Sequence, residues 1–147
     1  MMKENKNSNE VLYEQIKLVN KYFNDNIPIP LEDKKKTLLM IGMAAKISEK
    51  NTISHISRLD VRHNCYPTLQ QSYRIISKEA SLALNNPTDD NLVIITGQFG
   101  ILQNLEGYLK QEDKIPLEIL MEMNARTIKG IKESEKVFKK INKISVK

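Results

Sequence analysis

One cysteine, Cys65, stands in the whole chain, so no internal disulfide is possible and the sequence suits a reducing compartment. Glycine and proline are scarce, with five of each in 147 residues. That is too few for the frequent turns of an all-β sandwich, and it favours long helices. No run of about 18 apolar residues occurs, and the lysines of the opening MMKENKNSNE are not followed by an apolar core. Neither a membrane helix nor an export signal is expected, which makes the expected location cytoplasmic. Also lacking are a Gly-rich phosphate loop, a distinctive pair of carboxylates and a serine-nucleophile context. No cofactor and no metal are therefore expected, and a non-enzymatic role is favoured over catalysis.

What is present describes a folded chain of one domain. Hydrophobic residues make up 40% and charged residues 28%, far from the composition of disordered chains, and the length suffices for a single core. The net charge of +5 favours an anionic partner such as nucleic acid, although lysine-rich composition alone also produces it.

Periodicity then orders the elements. Residues 1–7 form a leader before the domain at 8–147. A helix over 8–25 carries Leu12, Ile16, Val19 and Phe23 at helical spacing, with Asn7 as cap and Glu10 in capping-box position. Pro28 and Pro30 end it, because each forces extended backbone on the residue before. A second helix is predicted over 31–48, apolar on nearly every side and so covered by neighbours along its middle, followed by a polar break at 48–51 and a short helix capped by Thr52 and carrying Ile53, Ile56 and Leu59. Helix resumes over 67–85 and stops at Asn85, Asn86 and Pro87. Thr88 then caps the most apolar stretch, DDNLVIITGQFGILQNLEGYL over 89–109, read as a buried central helix. Its Gly97 and Gly100 cost about 1 kcal/mol each relative to alanine, which predicts a neighbouring helix passing close over them. The last helix, 117–144, would extend about 42 Å at 1.5 Å per residue and continue as a basic tail to 147. The expected fold is an all-α single-domain bundle of five or six helices.

Chemistry-bearing residues concentrate in one stretch. The segment HISRLDVRHNCY over 55–66 holds both histidines, the cysteine and two of the four arginines. Zinc is disfavoured, since His-x7-His-x-Cys lacks a fourth ligand. The pair Arg58-x4-His63 resembles the Arg-x4-His motif of HEPN ribonucleases. That resemblance implies a small all-helical ribonuclease in which His63 does acid–base work on an RNA phosphodiester and Arg58 holds phosphate charge; Leu59 departs from the polar residue usual there.

A helix-turn-helix-like reading of 52–78 makes Arg58, Arg62, Thr68, Gln70, Gln71 and Arg74 nucleic-acid contacts, joined by Lys136, Lys139, Lys140 and Lys143 of the basic end. The plainest account of 55–66 is a polar connection capping helix ends. Likewise, cations in a last turn complement the helix dipole without any ligand. The favoured function is a small helical protein that binds a macromolecular partner, of adaptor, immunity or regulatory type. Self-association or a partner helix is expected along the C-terminal helix at Ile131, Phe138 and Ile141.

Overall fold

The computed structural model describes residues 8–56 and 65–144. Its described residues form an all-α bundle of five helices: α1 (Ser8–Asn24), α2 (Leu31–Ile56), α3 (Cys65–Leu84), α4 (Asp89–Leu109) and α5 (Leu117–Ile141). A single 3-10 turn, Glu112–Lys114, lies between the last two. The expected cap Asn7 and the catalytic candidates Arg58 and His63 lie outside the described residues, as does Arg62.

The directions of the helices follow from their end-to-end ties. Lys34 Nζ sits 2.6 Å from Asp89 Oδ1, joining the starts of α2 and α4. The Cys65 thiol donates to the Leu120 carbonyl at 3.6 Å, joining the starts of α3 and α5. Asn91 at the start of α4 bonds Asn142 at the end of α5. So α2 and α4 run one way, α3 and α5 the other. Helix α3 packs on α2, α4 and α5, and α4 on α2, α3 and α5, while α1 packs on α2 and reaches α4 through the Tyr13 hydroxyl, which donates to Gln103 Oε1.

Leu38, Ile41, Leu69, Tyr73, Ile76, Leu92, Ile95, Leu102, Leu105, Leu120, Ile131 and Phe138 fill the core. Full burial of one such Leu, Ile or Phe stabilises by about 1.5–3 kcal/mol. The Tyr73 and Phe99 rings meet edge-on with centroids 6.4 Å apart, the arrangement their quadrupoles favour.

Helix ends follow the sequence signals closely. Thr88 caps α4 by accepting a hydrogen bond from the Asn91 amide at 3.2 Å. Helices α1 and α5 both end in a Schellman arrangement. The Ile27 and Ile144 amides donate to the carbonyls of Tyr22 and Lys139, and the Asn26 and Lys143 amides to those of Phe23 and Lys140. Asn26 (φ 54°) and Lys143 (φ 56°) take the left-handed position that these caps require. The last helix thus stops at Ile141 rather than 144.

Three expectations are corrected. The polar break at 48–51 is absent, since α2 continues unbroken to Ile56. Its buried stripe of Leu38, Ile41 and Ala45 stays in phase with buried Thr52. The Thr52 hydroxyl donates back to the Ser48 carbonyl at 2.6 Å, as a mid-helix threonine does, so Thr52 caps nothing.

Second, among the described residues no helix crosses Gly97 or Gly100. Both are exposed, and nothing would lie within 4 Å of a Cβ at either position. The outer face of α4 is Val93, Gly97, Gly100, Asn104 and Gly107. Close approach occurs instead at Gly42, where a Cβ would stand 3.3 Å from that of Ala80, and at Gly130 against Ile101. Third, α2 is not covered all round, since Leu39, Met43 and Ile47 along its middle are exposed.

Candidate interaction surface

The residues expected to contact nucleic acid do not gather on one face. Thr68 is buried in α3 and Gln70 is half-buried; Gln71 and Arg74 are exposed. Arg74 Nε already pairs with Glu49 of α2 at 2.8 Å. With α2 running on through Thr52, the first helix of a helix-turn-helix is not a separate element. At the basic end, Lys136, Lys140 and Lys143 are exposed, whereas Lys139 is half-buried and lies 3.6 Å from Glu135. On α5, Ile131 and Phe138 spend their apolar surface inside the core, and only Ile141 of the expected partner contacts is exposed. Ile131 and Phe138 thus belong to the face by which α5 holds the bundle. Among the described residues no group of three or more His, Cys, Asp or Glu could hold a metal ion.

Along α3 the interior carries polar groups at regular height. Tyr66 donates to Glu112 at 3.3 Å. One turn-pair on, Tyr73 donates to Glu106 at 2.7 Å and accepts from Gln103 at 3.2 Å. Burial first, then the nearby Glu106 carboxylate, raise the Tyr73 phenol far above its usual range. It stays protonated and acts as a tie, not as a nucleophile. Glu79 follows, then Asn86, whose carbonyl accepts from Asn91 Nδ2 at 2.8 Å. Cys65, at the head of this row, has its thiol pushed up to about 11, chiefly by burial and then by Glu112. A thiol so shifted is almost wholly protonated near neutrality and a poor nucleophile.

The surface feature that sequence reading missed is the outer side of α2. Leu39, Met43 and Ile47, spaced by four, are 52%, 58% and 56% exposed. On an α-helix this spacing puts them in one row. Lys35, Lys36, Lys46 and Lys50 are exposed around them, and none is in an ion pair among the described residues. Of the acids of α2, Glu32 and Asp33 lie in its first turn, and Glu49 is turned to Arg74. The face beyond the first turn is thus apolar and positive over about 22 Å, counting 1.5 Å per residue from 35 to 50. The signal was in the sequence: those lysines mark the solvent side, so the large apolar residues between them belong to it too.

Among the described residues no helix is long and apolar enough to cross a membrane. The chain matches no protein-family model, no curated protein and no solved structure.

Proposed function

We propose that this is a non-enzymatic binding protein of adaptor or regulatory type, and that it docks an acidic amphipathic helix of a partner protein on the outer face of α2. The observation that carries this reading is the row Leu39, Met43 and Ile47, more than half exposed and set among four lysines. Three large apolar side chains at helical spacing are the anchors by which one helix holds another. Apolar side chains standing together in water favour a partner that covers them, and the lysine frame selects one rich in carboxylates. The face has no aromatic residue of the kind that seats helices in a lipid interface.

The test is a titration of the isotope-labelled protein with a synthetic Glu- and Leu-rich amphipathic helical peptide, followed by backbone amide shifts. Saturable binding is expected, with the largest shifts over 35–50, weakening as salt rises. It should be lost in L39E/M43E with the fold intact, because the substituted positions are exposed. A Lys-for-Glu version of the peptide should not bind. Shifts centred on α5, or no saturable binding, would overturn the assignment, as would binding only to anionic vesicles or to duplex RNA offered in parallel.

A further inference from the structure

Glu79 of α3 and Gln98 of α4 are the most unusual pair in the interior. Glu79 is 4% exposed and Gln98 is fully buried. Both carboxyl oxygens of the first, and both the amide nitrogen and oxygen of the second, lack a hydrogen-bond partner among the described residues. Gln98 nonetheless lies near enough to the Glu79 carboxyl to favour its charged form. Four buried polar atoms without partners are costly in the low dielectric of a core. The charged groups acting on this carboxyl are Glu135 and Lys139 of α5, which lie 3.6 Å apart.

One change resolves all four atoms at once. A neutral carboxylic acid and a primary amide are complementary: the acid O–H donates to the amide oxygen while an amide N–H donates to the acid carbonyl. A carboxylate can accept from the amide but leaves the amide oxygen facing negative charge. We propose that Glu79 is a proton-binding site of the folded protein, closed as an acid–amide pair with Gln98, and that loss of this proton loosens the C-terminal half of α5 from α3 and α4.

The route to α5 is electrostatic. An ionised Glu79 repels Glu135 and attracts Lys139, and these two residues flank Phe138, the buried anchor of the same helix end. Either Lys139 leaves Glu135 to turn inward or the segment moves outward to admit water; both disturb how Phe138 sits. Burial, the largest cause, together with Glu135, moves this carboxyl up to about 7 from 4.5, against the opposing pull of Gln98 and Lys139. The change therefore falls near neutrality. This site is independent of the α2 face, and its test does not involve a partner.

The experiment is a carbon-detected titration of the glutamate carboxyls in the native protein, with the Glu79 carboxyl assigned by through-bond correlation to its own backbone. Glu79 is expected to titrate about two pH units above an ordinary glutamate. In Lys139→Met it should titrate higher still, because the cation that favours the charged form is gone. Amide exchange over 131–141 should quicken between pH 6 and 8 in the native protein beyond the intrinsic pH effect. It should not do so in Glu79→Gln, which keeps the pairing as an amide–amide pair at every pH. An ordinary midpoint for Glu79 would overturn the proposal even if every variant failed to fold. So would exchange on α5 that follows pH equally in native and E79Q proteins.

Discussion

Asn91 and Asn142 hold each other by a reciprocal pair of amide hydrogen bonds, Asn91 Nδ2 to Asn142 Oδ1 at 3.0 Å and Asn142 Nδ2 to Asn91 Oδ1 at 2.8 Å. Each nitrogen also donates to a backbone carbonyl, of Asn86 and Phe138 respectively, at 2.8 Å. The start of α4 is thereby locked to the end of α5 and to the turn after α3. Asn91→Ala strips the partners from a mostly buried amide and should cost about 2 kcal/mol. Asn142→Ala should cost a similar amount, and the double variant clearly less than the sum. Chemical denaturation of the four proteins gives the coupling; strict additivity would show that the amides act apart.

The glycines of α4 should behave oppositely to Gly42. Gly97 and Gly100 are helical, exposed and clear of any neighbour, so alanine at either should stabilise by about 0.5–1 kcal/mol through helix propensity alone. At Gly42 the added methyl would press on the Ala80 side chain at 3.3 Å, and Gly42→Ala should lose stability as α2 and α3 are forced apart. Nothing in the described chain explains why α4 keeps its three outward glycines.

Lys143 holds a left-handed backbone that side chains with a Cβ adopt at a cost. Glycine removes that cost, so Lys143→Gly should raise stability by about 1 kcal/mol and leave the helical signal unchanged. Asn26 sits in the same geometry, but asparagine tolerates it well, and Asn26→Gly should gain less.

Stability should depend on pH through Glu79, with a definite sign. Its carboxyl releases a proton near 7 when folded and near 4.5 when unfolded. Between those values the folded state holds the extra proton, so stability falls as pH rises from 4.5 through 7 and then levels off. The span corresponds to about 3 kcal/mol at most. Glu79→Gln should flatten this part of the profile and gain on the native protein as pH rises. Melting temperatures of both between pH 4.5 and 8 measure it, and parallel curves would count against the assigned carboxyl.

How far the sequence revealed this molecule depends on what each residue had to satisfy. Helix starts and stops set by backbone chemistry were legible: Thr88 before α4, Pro28 and Pro30 before α2, Asn85 and Asn86 after α3. The continuation of α2 was not, because Ser48, Glu49 and Thr52 look like a break until Glu49 is seen to meet Arg74 and Thr52 to bond its own helix. Gly97 and Gly100 misled because a small residue fits a close contact and an open surface equally well. Periodicity found the apolar row of α5 but could not say whether Ile131 and Phe138 faced the chain's own core or another molecule. For α2 the opposite happened, and apolar residues were assigned to the interior because they were apolar. The Arg58 and His63 reading falls outside the described residues.

Polar groups recur at Tyr66, Tyr73 and Glu79 of α3 and at Asn86 in the turn after it, about every seven residues. Apolar helices can slide past one another by a turn and still bury similar area. Here such a slip would separate Tyr66 from Glu112, Tyr73 from Glu106, and Asn86 from Asn91 and Asn142 together. The row thus works as a ruler laid along the bundle, singling out one register of α3 against α4 among those that the greasy surfaces alone would accept.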